Sequence, residues 1–327
     1  MKRFVTLMWV ILISIMNYAQ TPQVSIPITI NDGAGGSQVL YFGLDPTATD
    51  GNDGTLGEAV LPPLPPTGVF DARLNLPNGT ESSLRDYRQG SNSYSGSKDY
   101  TIQYQVGSGT EINLIWNFVP GISGRLQDIV LGNLIDVNMN GSGSYKVSNP
   151  GVFVKLKMTI TYTPPTLNLP ANGATNQWLT TTFTWNSVTN ATKYGLYVAT
   201  NSDFSNIVFS DTTITGTSKT LATALNTYTV YYWRIIGISE NGRAIYSETR
   251  SFTTAKPIFW ANLQWPDQAT IEVGGSMTAY TQIWIDGITA GAGPGSGISA
   301  WIGYSTSNTN PNTWTNWVPA TYNVNVG

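Results

Sequence analysis

The sequence contains no cysteine and no histidine, and only 11% of its 327 residues are charged. Without cysteine there is no disulfide framework, so the fold must hold itself together by burying apolar surface. Without histidine there is no Ser–His–Asp or Cys–His relay, no imidazole metal ligand and no imidazole pH switch. Carboxylate pairs and Ser–Lys chemistry are the catalytic means that remain. Long apolar runs are also missing. The longest, FVTLMWVILISIM, has 13 residues, whereas a bilayer-spanning helix takes about 20. It follows Lys2 and Arg3 and precedes NYAQ, with Ala19 as a small exit residue. That order reads as a secretory signal peptide over residues 1–19, with no membrane span after its removal. Loss of Lys2 and Arg3 leaves 14 of the 16 basic residues against 19 acidic ones, a net charge of −5. No basic patch is present to neutralise phosphates, so nucleic acid is not an expected partner.

What the chain does have is 41% hydrophobic and 12% aromatic residues, the composition of a folded protein. Helical periodicity is nearly absent. Short runs such as VSIPITI, YTIQYQV, EINLIWNF, VFVKLKMTITY, TFTWNSV, YYWRIIGIS and QIWIDGIT recur between Gly, Asn, Ser, Thr and Pro clusters, as in sandwiches and barrels. Asp32-Gly33 and Asn241-Gly242 are candidate tight turns. TPP at 163–165 and AKP at 255–257 each follow a strand-like run, and proline there stops a ladder. The expected pieces are 20–163, 164–255 and 256–327.

The middle piece contains WLTTTFTWNSVTNATKYGLYVATNSDF and then LNTYTVYYWRIIGISENGRAIYSETRSFTT. Over its whole length it resembles a bacterial fibronectin type III domain. Leu225 and Tyr231 fall where that family has its leucine and corner tyrosine, and Trp185 where it has an early core tryptophan. Alternation in YYWRI puts Tyr231, Trp233 and Ile235 on one face and Tyr232 and Arg234 on the other. The outer pieces, through FGLDPTATDGNDGTLGE with GVFDAR and through IGYSTSNTNPNTWTNWVPATYN, resemble segments of large exported surface proteins of the Bacteroidota type. Those proteins commonly end in a sorting domain for type IX secretion, which is not evident here. The expected fold is all-β, with three consecutive β-sandwich-like domains.

Two stretches are candidate sites. The loop GLDPTATDGNDGTLGE carries Asp45, Asp50, Asn52, Asp53 and Glu58. A hard cation such as calcium takes six to eight oxygens, and these five residues are the candidate ligands. The loop departs from the EF-hand pattern, with Gly54 and Leu61 at ligand positions. The competing reading is that Asp and Asn cap their own turns. No cofactor is expected to be required. The proline track LPPLPP that follows reads as a stiff strap, or as a polyproline ligand.

From Pro257 to Gly327 there is no lysine or arginine, yet six of the 11 tryptophans lie there. Alternation places Tyr280, Gln282, Trp284 and Asp286 on one face of their strand, and Trp301 with Ser299, Gly303 and Ser305 on one face of another. Trp314 and Trp317 follow in a polar stretch. Flat aromatics beside short polar side chains suit neutral sugars, whose C–H faces stack on rings while hydroxyls bond to amides. Tyr280, Trp284, Trp301, Trp314 and Trp317 are therefore candidate carbohydrate contacts, with packing under loops or against a neighbour as the alternative. The expected role is a non-catalytic, secreted or cell-surface binding or adhesion protein whose partner is an extracellular glycan or surface polymer. The alternative is an accessory region of a secreted polysaccharide-degrading enzyme whose catalytic domain lies outside the chain. The stretch from Pro257 is shorter than a sandwich of about 100 residues, so a continuation past Gly327 is also expected.

Overall fold

A computed structural model of the protein describes residues 20–266 and 268–323. The expected signal peptide and the end of the TYNVNV run lie outside them. Among the described residues the regular structure is strand, apart from two three-residue 3-10 turns.

The first eleven strands are β1 (Val24–Asn31), β2 (Ser37–Asp45), β3 (Asp71–Asn75), β4 (Ser82–Ser83), β5 (Arg85–Gln89), β6 (Gly96–Gln105), β7 (Ile112–Asn117), β8 (Ile122–Asp128), β9 (Asp136–Asn140), β10 (Ser142–Val147) and β11 (Lys155–Tyr162). They form a five-stranded sheet, β10-β7-β1-β2-β5, and a six-stranded one, β4-β3-β6-β11-β8-β9. Strict alternation makes this possible. In β1, Val24, Ile26, Ile28 and Ile30 are buried, and in β11, Leu156, Met158, Ile160 and Tyr162 are buried. These residues meet in one core with Phe42, Tyr100, Trp116 and Phe118. The β1–β2 hairpin closes at the expected Asp32-Gly33 turn. There the Asp32 carboxylate accepts from the Ala34 and Gly36 N–H groups at 3.0 and 2.9 Å.

The second unit has β12 (Leu167–Leu169), β13 (Ala174–Gln177), β14 (Thr182–Trp185), β15 (Lys193–Ala199), β16 (Ile207–Ile214), β17 (Ser218–Thr220), β18 (Val230–Ser239), β19 (Gly242–Tyr246) and β20 (Arg250–Thr254). One sheet is β12-β14-β17; the other is β13-β20-β18-β15-β16, with β19 also paired to β18. This is a fibronectin type III-like sandwich. Tyr231, Trp233 and Ile235 of β18 fill its core with Trp185, Phe183 and Phe252, while Leu225 packs at the margin. The Tyr231 hydroxyl accepts from the Asn226 N–H at 3.0 Å, the corner that characterises such sandwiches. On the opposite face, the Arg234 guanidinium lies between the Phe204 and Tyr246 rings, 3.9 Å from each centroid.

The β18–β19 hairpin turns at Asn241-Gly242 and leans on the first sandwich. The Asn241 amide donates to the Phe118 carbonyl at 3.1 Å, and the Tyr246 N–H donates to the Asn92 carbonyl at 2.8 Å. Ile245, although carried by β19, is buried in the core of the first sandwich.

The last part is built differently from the two sandwiches. Strands β21 (Trp260–Trp265) and β22 (Tyr280–Trp284) form one two-stranded ladder, and β23 (Trp301–Tyr304) and β24 (Asn316–Pro319) form another. Most of their side chains are exposed, and Ile285 is the buried hydrophobic residue of this stretch among the described residues.

Candidate functional site

Of the two readings of the Asp-rich loop, a cation cradle and self-capped turns, the side chains follow the second. Asp45 is buried; its Oδ1 accepts from the Thr47 N–H and hydroxyl at 2.9 and 2.7 Å, and its Oδ2 from the Gln23 N–H at 3.2 Å. Asp53 accepts from the Thr49 N–H and hydroxyl at 2.7 and 2.9 Å. Glu58 reaches in opposite directions, to the Asp53 N–H at 2.8 Å and the Tyr87 N–H at 2.7 Å. Asp50 points outward and sits 3.7 Å from Arg88. Among the described residues no three acidic side chains converge as a metal site. The donors that a carboxylate prefers are already supplied by the loop itself, in the capping role of Asp in turns, and by the N–H groups of Gln23 and Tyr87. Leu56, carried on the 3-10 turn at Gly54–Leu56, pins the loop to Ala48 and Tyr87.

Two other polar features of the first sandwich lack the makings of a catalytic site. Asp86 on β5 is buried, and that burial pushes its carboxyl up to about 7 despite the Arg88 guanidinium 2.7 Å away. A carboxyl that titrates near neutral pH is one signature of function, but Asp86 is buried from solvent within its strand. An open depression of about 420 Å³ lies nearby, lined by Asn75, Arg88, Asp99, Thr101 and Lys155. Asp86 does not line it, and Asp99 is taken up by Lys157 at 3.0 Å and by the Thr159 hydroxyl at 2.6 Å.

The aromatic face is in the C-terminal ladders. In β21–β22, Trp260 pairs with Trp284, Asn262 with Gln282, and Trp265 with Tyr280. Directly opposed residues of an antiparallel pair share a face, so these six stand together. A register shift between Leu263 and Trp265 marks a bulge at Gln264. It brings Trp265, five residues from Trp260, onto the same face; unbroken alternation would have put it on the other. The Gln264 side-chain amide donates to the Gln282 carbonyl at 2.6 Å, and the Trp265 and Tyr280 rings lie 6.3 Å apart at 35°. The four rings keep 45% (Trp260), 40% (Trp284), 63% (Trp265) and 43% (Tyr280) exposure. Trp260 and Trp265 were not among the sequence candidates, because the bulge hides their relation to Tyr280 and Trp284.

The β23–β24 ladder carries the rest. Gly303 pairs with Trp317 and Trp301 with Pro319. The Trp317 ring lies across Gly303 so closely that an added Cβ would meet it at 2.7 Å, which only glycine permits. Trp317 donates to the Trp314 carbonyl at 2.8 Å, and Trp314 to the Thr309 carbonyl at 3.2 Å. Both indole N–H groups are thus satisfied by carbonyls of the β23–β24 connection. Trp301 and Trp317 keep 56% and 47% exposure.

No protein-family model matches the chain, and no curated protein matches it. Among solved structures, an Fn3-like protein from Clostridium thermocellum is 24% identical and covers 28% of this chain and 93% of its own, with a TM-score of 0.22. The FN1-FN3 domains of chicken CNTN1 are 10% identical over 48% of this chain and 78% of theirs, at 0.23. A beta-1,2-glucanase from Parabacteroides distasonis is 9% identical over 49% of this chain and 32% of its own, at 0.21. The fibronectin-like character of residues 167–254 rests on their strand order and on the Tyr231 corner.

Proposed function

We propose that the chain is a non-catalytic binding protein, exported to the cell surface or beyond, which holds neutral glycans on the aromatic faces of its C-terminal ladders. The observation that carries this reading is the shared face of Trp260, Asn262, Trp265, Tyr280, Gln282 and Trp284. It pairs exposed rings with uncharged amides, the groups that fix and orient an apolar-and-hydroxyl ligand. The lack of lysine and arginine from Pro257 onward disfavours anionic polymers. The leader-like first 19 residues support export, and the absence of histidine and cysteine narrows the catalytic alternatives. The same face would serve equally as the substrate anchor of a polysaccharide-degrading enzyme whose catalytic domain lies elsewhere.

A glycan array probed with residues 20–327 tests the reading. Neutral glycans should be retained, and Trp284→Ala should lower retention roughly tenfold, as loss of one aromatic contact implies, with the melting temperature nearly unchanged. Absence of any glycan signal overturns the proposal. Release of new reducing ends from a bound polymer overturns its non-catalytic part.

A further inference from the structure

Resting on the glycan reading above, we infer that the β21–β22 face takes a linear, uncharged oligosaccharide laid along the strands, gripped at two separate stacking positions. The ladder places Trp260 with Trp284 at one end of the face and Trp265 with Tyr280 at the other. Tyr280 and Trp284 are four strand residues apart, a span of about 13 Å at roughly 3.3 Å per residue. One sugar ring cannot reach both ends, whereas an oligosaccharide can.

The ground between the two ends is polar. Asn262 and Gln282 are directly opposed there, and the Gln264–Gln282 bond of 2.6 Å uses one donor and one acceptor. A primary amide has two donors and a carbonyl acceptor, so Gln264 keeps its carbonyl and Gln282 its NH2 group. Asn262 adds a further amide. A chain of hydroxyl-bearing rings passing from one aromatic end to the other would find donors and acceptors along its middle.

The six opposed residues and Gln264 are all neutral; Asp286, which alternation assigned to this face, lies in a turn beyond the end of β22, where its carbonyl accepts from Lys256 at 2.8 Å. A protein partner fits less well, because protein hot spots draw on arginine beside tryptophan and tyrosine, and no arginine occurs from Pro257 to Gly327.

The test is isothermal titration of residues 20–327 with three ladders of neutral oligosaccharides (glucose, xylose and mannose series), each from the monosaccharide to the hexamer. Affinity should climb with length and then level off once both ends are spanned. Trp284→Ala and Tyr280→Ala should each lower hexamer affinity roughly tenfold, while Trp265→Tyr, which keeps a ring, should retain it. Affinity should not fall between low and high salt, as it would for a charged ligand. A monosaccharide that binds as well as its hexamer overturns the two-position inference and leaves the glycan reading standing. So does loss of binding on substitution at one end only. If no member of any ladder binds, both fall. Burial of the face between two copies, seen as a dimer in sedimentation that sugar does not dissociate, also overturns the inference.

Discussion

Asp128 and Asp86 show how differently two aspartates can be treated within one sandwich. Asp128 ends β8 and accepts five backbone N–H groups, from Val130, Leu131 and Gly132 on one oxygen and from Leu134 and Ile135 on the other, at 2.7–3.0 Å. Those bonds, Leu131 first among them, hold its carboxyl well below the usual range, because each favours the charged form. Asp86 is the reverse case, pushed up to about 7 by burial. A carboxyl raised in the folded state contributes stability that is full below its unfolded value near 4 and is lost as pH rises through 7. Asp128, lowered in the folded state, contributes stability above about 4 and loses it in stronger acid. The melting temperature should therefore fall as pH rises from about 4 to 7, by at most about 1.4 kcal/mol of stability per pH unit for this one proton. Asp86→Asn should flatten that slope, even though it lowers stability overall by weakening the partner of Arg88. Melts of both proteins across this range check it; an unchanged slope refutes the assignment.

At the scale of strands and loops, hydrogen bonds that close locally decide what each element can do. Because Asp45, Asp53 and Glu58 are satisfied by N–H groups of the loop and of Gln23 and Tyr87, a chelator should leave the melting temperature unchanged. A drop of several degrees on adding EDTA would show that a cation holds the loop. Tyr231→Phe removes the acceptor of the Asn226 N–H and should lower stability by about 1 kcal/mol, read from urea melts. Much of this level is visible in the sequence. Period-two alternation in YYWRI, and in VSIPITI, marks which side chains enter the cores, because a strand facing a core has no other way to bury them. The corner tyrosine is legible through the resemblance to fibronectin type III domains, which places Leu225 and Tyr231. Other features are hidden, for physical reasons. The bulge at Gln264 shifts the count by one, so Trp260 and Trp265 seem by alternation to face apart. In the apolar run IVLGNL after Asp128, Val130, Leu131 and Leu134 are exposed, because the carboxylate folds the chain into a loop around itself. Nothing in the spacing of DYRQ reveals that Asp86 is sealed and paired within its own strand. The four loop carboxylates suggest a ligand set by their density alone; which way each one turns depends on backbone that folds back from elsewhere, such as the Tyr87 N–H.

At the scale of the whole molecule, the two sandwiches are joined by more than the connection between Tyr162 and Leu167. Gly121 donates to the Thr189 carbonyl at 3.3 Å, the Asn241 side chain bonds to Phe118 and Ser142, and Ile245 sits in the first core. Ile245→Ala should thus destabilise the first sandwich from a residue that belongs to the second, by about 2–5 kcal/mol as for a buried core truncation. Melting followed by a probe in each sandwich checks this, since a purely local effect would leave the first transition where it was. The buried isoleucine has a consequence for motion as well. A side chain from one unit locked into the packed interior of the other removes the hinge that a short connector would otherwise provide. Residues 20–255 should then diffuse rotationally as one body. Backbone nuclear relaxation would give both sandwiches the same overall correlation time, and truncating Ile245 would let the two times separate.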